Sequence, residues 1–205
     1  MQGYIININK ARDEDLIITI LSPDHKYTAY RFYGARHSTI NLGYKIDFEL
    51  EHSSKSTLPK LRNILHLASK WNIQREHMFL WQQYIRLFYA HLKDISEIPP
   101  FYFNMLEKSH EIWHQQNPKR VAIESYVELL EFEGRLHHEF ICFQCDHVIK
   151  DSVAFLRAFL PAHPGCIYKR SYPLAPIREL FGNKSTLFLN DNEIDDLWQI
   201  LCEGF

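Results

Sequence analysis

Cys142-Phe-Gln-Cys145 and His163-Pro-Gly-Cys166 are two pairs of soft ligands, each pair with two residues inside it and seventeen residues between the pairs. At this spacing each pair can form a knuckle whose side chains meet at one ion, and two knuckles complete a tetrahedron. The expected occupant is a single zinc ion held by Cys142, Cys145, His163 and Cys166. Three thiolates and an imidazole make a closed shell with no position left for water or substrate, so the ion is expected to be structural. His147, His137 and His138 are possible substitute ligands, and ordinary buried cysteines beside a Pro-Gly turn are the competing explanation. Cys202 follows Leu197, Trp198, Ile200 and Leu201 and reads as a core thiol.

Other reactive groupings do not assemble. His137-His138-Glu139 and Asp195-Asp196 are the best starting points for a hydrolase, but no Gly-x-Ser-x-Gly elbow, no His-Glu-x-x-His helix and no compact carboxylate set is expected to accompany them. Gly182-Asn183-Lys184-Ser185-Thr186 lacks the glycine of a phosphate-binding loop, because Ile177 stands five positions earlier, and it reads as a turn. The chain is therefore expected not to be an enzyme.

The elements that must position these groups change character along the chain. Ranges 3–9, 16–21, 26–33 and 42–51 are rich in Ile, Tyr, Phe and Thr and are separated by polar breaks, the pattern of short strands. Alternation is clearest where Tyr44, Ile46, Phe48 and Leu50 face one side and Lys45, Asp47, Glu49 and Glu51 the other. Range 61–67 suits a fifth strand, although Leu61, Ile64, Leu65 and Ala68 also suit a helix. Five short strands in so short a span predict a small barrel of the oligonucleotide-binding type. From Glu76 the period becomes helical through Phe79, Leu80, Tyr84, Leu87, Phe88 and Leu92. Further helices are expected at 100–116, from Pro118 to about Gly134, at 176–181 and at 191–202. The expected fold class is α+β: a barrel domain over 1–72, then a helical domain over 73–205 with the zinc-binding insertion at about 140–168.

An apolar share of 46% is enough for real cores, and no stretch is apolar for long enough to span a bilayer. The opening residues carry no basic leader or cleavage site and read as mature protein, with a reducing cytoplasm as the expected compartment. A net charge of −2 excludes a protein that is basic all over. Range 1–62 holds nine Lys and Arg against seven Asp and Glu, so any nucleic-acid surface must be local and lies toward this end.

With this order of parts in view, Tyr33-Gly34-Ala35-Arg36-His37 after the third strand resembles a segment of the RecO family of bacterial recombination mediators. Met1-Gln-Gly-Tyr-Ile-Ile and the acidic turn Arg12-Asp13-Glu14-Asp15-Leu16-Ile17 extend the resemblance. Two departures stand out: Tyr33 replaces a basic residue of the family pattern, and His163 replaces a metal cysteine. The resemblance implies a DNA-binding N-terminal barrel, annealing of complementary strands, and help to RecA on DNA covered by single-strand-binding protein. It also implies RecR and the single-strand-binding protein tail as partners, with RecA served indirectly and no membrane involved. DNA is the expected ligand, single-stranded in the first place, with double-stranded DNA left open.

Single-strand binding needs cations along the phosphates and flat side chains for unpaired bases. The candidates are Lys10, Arg12, Arg31, Tyr33, Arg36, His37, Lys45, Lys55, Lys60 and Arg62, with Arg36 and His37 foremost. Tyr30, Phe32, Tyr33 and Tyr44 are the possible platforms, and each competes with a place in the barrel core. The aromatic residues Trp71, Trp81, Tyr84, Phe88, Tyr89 and Trp113 are the expected docking surface for the partner tail, with most of them in the core. The alternative function is a zinc-stapled protein-interaction module without DNA binding.

Overall fold

The computed structural model describes residues 1–205 apart from Lys55 and Ser96. It contains two compact units, Met1–Glu111 and Ile112–Phe205.

The first unit opens on β1 (Gln2–Lys10), β2 (Leu16–Leu21), β3 (Lys26–Arg31), β4 (Lys45–Glu51) and β5 (Lys60–His66). These strands close into a barrel in the order β1-β2-β3-β5-β4, the expected oligonucleotide-binding type. Antiparallel pairing joins β1 to β2 and β4, β2 to β3, and β4 to β5, whereas β3 and β5 run parallel through the single pair Tyr30 and Lys60. The inward residues include Ile5, Ile18, Ile20, Ala29, Ile46, Phe48 and Leu61, all buried. Their β-branched and aromatic shapes suit a half-buried pleated surface.

The segment expected at 61–67 is the strand β5, Lys60–His66, despite its helix-like spacing, and a bulge explains why. Asp47 pairs with Leu65 and Glu49 with Arg62, so two residues of β5, Asn63 and Ile64, oppose the one residue Phe48. Asn63 takes up the extra length in the left-handed region at φ 46°. The bulge resets the alternation, which brings Leu61 and Ile64 to the same core with a spacing of three.

α1 (Arg75–His91) and α2 (Pro100–Ile112) complete this unit. α1 buries Met78, Trp81, Tyr84, Ile85 and Phe88, a stripe at steps of three and four. Phe79 shares the expected period but stands outward, 59% exposed. Trp81 donates from Nε1 to the Gly43 carbonyl at 2.8 Å. Gly43 has φ 82°, and a Cβ there would lie 2.7 Å from the Trp81 ring, so both backbone and neighbour require glycine.

In the second unit, α3 (Pro118–Phe132) starts where Pro118 follows Asn117, whose side chain caps Lys119 N–H. It stops at Gly134, φ 67°, where Arg135 N–H reaches back to the Leu130 carbonyl. A small sheet of order β7-β6-β8 follows, from β6 (Ser152–Phe155), β7 (Pro161–Ala162) and β8 (Tyr172–Pro173). α4 (Pro164–Ile167) lies between β7 and β8, and α5 (Leu174–Asn183) extends the expected 176–181 helix at both ends. α6 (Asp191–Cys202) begins at a capping box formed by Asn190 and Glu193. Among the described residues no helix is long and apolar enough to cross a membrane.

Candidate nucleic-acid interface and metal centre

The β3–β5 side of the barrel gathers the basic and aromatic candidates. Arg31, Phe32, Tyr33, His37, Lys60, Leu61 and Arg62 line one cleft of about 370 Å³. Phe32 and Tyr33 both face outward, 46% and 60% exposed, because β3 ends at Arg31 and Tyr33 turns into the left-handed region at φ 52°. Asp15 fixes that turn: its Oδ1 accepts from Tyr33 N–H at 2.7 Å and its Oδ2 from the Tyr30 hydroxyl at 2.5 Å. The Tyr30 hydroxyl, with the Tyr33 N–H behind it, holds the Asp15 carboxyl below its ordinary range. The next residue, Gly34, opens a short 3-10 turn, and a Cβ there would lie 2.9 Å from the Leu16 side chain.

The cations differ in freedom. Arg31 donates to the Leu61 carbonyl at 2.9 Å and from Nη2 to His37 Nε2 at 3.3 Å, and its Nε is buried without a hydrogen-bond partner. Lys60 Nζ stands 5.6 Å from the centre of the Phe32 ring and has no ion pair within 4 Å among the described residues. Arg62 pairs with Glu51 at 2.7 Å, which lowers the Glu51 carboxyl. Arg36 lies 5.4 Å from the Tyr33 ring centre and is paired with Glu14, so this foremost candidate comes with a carboxylate attached. Lys10 and Arg12 are exposed at the β1–β2 turn, outside the cleft lining. Lys45 bonds Glu107 of α2 at 2.6 Å with its side chain 17% exposed, and Glu107 also accepts from the Tyr4 hydroxyl. Lys55 lies outside the described residues. Of the platforms, Tyr44 is stacked on His66 at 3.7 Å and Tyr30 meets Phe32 edge-on at 4.9 Å, leaving Phe32 and Tyr33 as the open rings.

The expected docking rings fill cores instead. Trp71, Trp81, Tyr84, Phe88 and Trp113 are buried, and only Tyr89 of that set keeps partial exposure. The reason is size: such rings bury more apolar area than any other side chain and are drawn inward first.

The metal candidates do converge. Ligand atoms of Cys142, Cys145, His163 and Cys166 all lie within 4.8 Å of one another. A tetrahedral shell with bonds of about 2.3 Å needs sulfur atoms about 3.8 Å apart, so the donors fit one ion with small adjustments. The first knuckle is shaped by Cys142 N–H to the His147 carbonyl and Asp146 N–H to the Cys142 carbonyl, with Asp146 at φ 57°. The second is the α4 turn, in which Cys166 N–H bonds the His163 carbonyl at 3.0 Å. Across the pair, Cys145 Sγ is 3.3 Å from His163 Nδ1, and His163 N–H points to Cys142 Sγ at 3.3 Å. Burial alone would push the Cys142 thiol up, but N–H groups of His163, Gln144 and Cys145 outweigh it and bring it down to about 6. Burial pushes Cys166 the other way, to about 11, with the sulfurs of Cys145 and Cys142 adding to the rise. His147 bonds the Cys145 carbonyl at 2.6 Å, His138 stands by Glu131, and neither these nor His137 belongs to the cluster. Cys202 is half-buried on α6, its thiol pushed up to about 11 by burial.

Contrary to the expectation that no His-Glu-x-x-His occurs, His110-Glu111-Ile112-Trp113-His114 has the spacing of that metalloprotease motif. The geometry gives it a packing role. The His110 ring is buried among Tyr4, Trp71 and Trp81 and bonds Ser69 Oγ, whereas α2 ends at Ile112 and His114 is exposed in the turn beyond.

No curated protein matches the chain. Residues 1–72 match the family described as RecO N terminal. This range holds all five barrel strands and the cleft between β3 and β5, and the match supports a role in DNA recombination and repair. The chain is thus similar to the RecO N-terminal family over residues 1–72, the range that forms the barrel.

Proposed function

We propose that this protein is a DNA-binding recombination mediator that holds unpaired strands on the β3–β5 side of its barrel and anneals complementary ones. The observation that carries this reading is the cleft in which Arg31, Lys60 and Arg62 stand beside outward-facing Phe32 and Tyr33, on a barrel of the RecO N-terminal family. Cations that track phosphates and rings that accept bases without regard to sequence are what an annealing surface needs. Tyr33 and His37 belong to the same path; Arg36 joins it when a phosphate displaces Glu14, Lys10 and Arg12 extend it from the β1–β2 turn, and Lys55 is included on its sequence position alone. Lys45, tied to Glu107, contributes least. A near-neutral chain binds DNA modestly, and strands released quickly are free to pair.

The resemblance supplies the rest of the proposal. The protein works in the cytoplasm with RecR, meets the tail of single-strand-binding protein, and assists RecA without catalysing a covalent step itself. Double-stranded DNA is a second ligand through its phosphates. The unit 112–205 is held by one structural zinc ion at Cys142, Cys145, His163 and Cys166, whose four donors close the shell. Exposed Ile141, Phe143, Val148 and Tyr168 around these donors favour a second reading, a zinc-stapled protein-interaction module.

Fluorescence anisotropy with a labelled single strand separates the two. Binding at low salt is expected, with log affinity falling against log salt at a slope of roughly −2 to −3 for three or four neutralised phosphates. Lys60→Ala with Arg62→Ala is expected to lower the slope and slow annealing. Absence of strand binding at low salt would leave the interaction module as the function.

A further inference from the structure

The cleft holds more than a row of positive charge. Phe32 is an exposed ring with Lys60 beside it at 5.6 Å from its centre, and it forms a T-shaped pair with Tyr30. Exposure alone is ordinary for an apolar side chain; what sets Phe32 apart is that its ring lines a cleft together with Arg31, Lys60 and Arg62. Lys60 has no ion pair within reach among the described residues, and the neighbouring Arg31 keeps a buried Nε without a partner. The two couples on this rim are unequal: Arg36 beside Tyr33 is ion-paired with Glu14, whereas Lys60 beside Phe32 lies opposite Glu51, a carboxylate bonded to Arg62, and makes no ion pair within 4 Å among the described residues.

We infer that Phe32 and Lys60 form a one-nucleotide subsite that takes an unpaired base on the ring and its phosphate on the ammonium, and so selects unpaired over paired DNA. The inference rests on the DNA-binding reading above and assigns its strand preference to one side chain. In duplex DNA the base faces are occupied by stacking within the helix, so a duplex can engage Lys60, Arg31 and Arg62 through phosphates but has nothing to offer Phe32. Unpaired DNA offers both groups. Stacking does not discriminate among bases, because each has a π-face, so the subsite reads strandedness rather than sequence. It also gives annealing a direction: when two strands pair, the base leaves the ring and the duplex is held by phosphates alone.

The test compares wild type, Phe32→Ala, Phe32→Trp and Lys60→Ala with Arg62→Ala on a single strand carrying one fluorescent purine analogue, and on the corresponding duplex. Phe32→Ala is expected to weaken single-strand binding roughly five- to one-hundred-fold. It is expected to leave duplex affinity unchanged and to abolish the quenching of the analogue seen with wild type. Phe32→Trp is expected to restore both affinity and quenching, which a merely unfolded barrel could not do. If Phe32→Ala leaves single-strand affinity and quenching intact while the Lys60 and Arg62 variant weakens binding, the stacking subsite is wrong and the DNA-binding reading stands. Equal losses on single strand and duplex overturn the selectivity. Wild type that binds no DNA at low salt overturns the DNA-binding reading itself.

Discussion

Asp15 does its work through two hydrogen bonds, from the Tyr30 hydroxyl and the Tyr33 amide, and in doing so decides where the exposed Tyr33 ring stands. Those bonds depress its pKa, so their stabilisation is present above the unfolded carboxylate value of about 4 and is lost as pH falls below it through the folded value. The Tyr33 amide resonance is expected to be protected and downfield at neutral pH and to shift upfield on acidification below that range. In Asp15→Ala the shift should be absent, with the upfield position at every pH; an amide that titrates unchanged in the variant would remove Asp15 as its anchor. Residue types on this surface were legible in the sequence, but their partners were not. Alternation places Lys45 outside the barrel, yet it cannot tell that Glu107, sixty-two positions later, waits there. Arg36 looked free for the same reason, since its partner Glu14 sits in another turn.

At the scale of the element, β5 shows how one residue can disguise a strand. Leu61, Ile64 and Leu65 carry a helical spacing because Asn63 inserts a bulge between them. Asparagine tolerates the left-handed region through its short polar side chain, and here Asn63 Nδ2 also bonds Glu49 at 2.6 Å. Asn63→Val is expected to destabilise the barrel by about 1–2 kcal/mol, because a β-branched residue is strained at this φ, while Asn63→Gly costs much less. Denaturant melts of both variants check this, and equal losses would show the hydrogen bond rather than the backbone to be decisive. Helix starts were easier to read: Asn117-Pro118 and the Asn190–Glu193 box act locally, within one turn. The three-stranded sheet beside the Cys and His knuckles was not anticipated, since β7 and β8 are two residues each and leave no periodic trace.

For the whole molecule, the convergence of Cys142, Cys145, His163 and Cys166 is the clearest case of sequence foretelling space, because two short knuckles each fix their own pair and only the distance between pairs is left to folding. Cys142→Ser with Cys145→Ser is expected to abolish bound metal and lower the melting temperature by roughly 10 °C or more, given losses of several kcal/mol at about 2–4 °C each. Hydrogen exchange should then rise across 112–205 while the core amides of β1 to β5 keep their protection. Purified wild type free of metal by elemental analysis, with no chelator used, would refute the site. The barrel itself joins β3 to β5 by the one register pair Tyr30 and Lys60, reinforced by Tyr30 N–H to Pro59 and Arg31 to the Leu61 carbonyl. A cylinder fastened so sparingly along one line parts there before it parts elsewhere. On the DNA path proposed above, a strand that spans Arg31 and Lys60 bridges that seam, so binding is expected to raise the stability of the barrel by mass action.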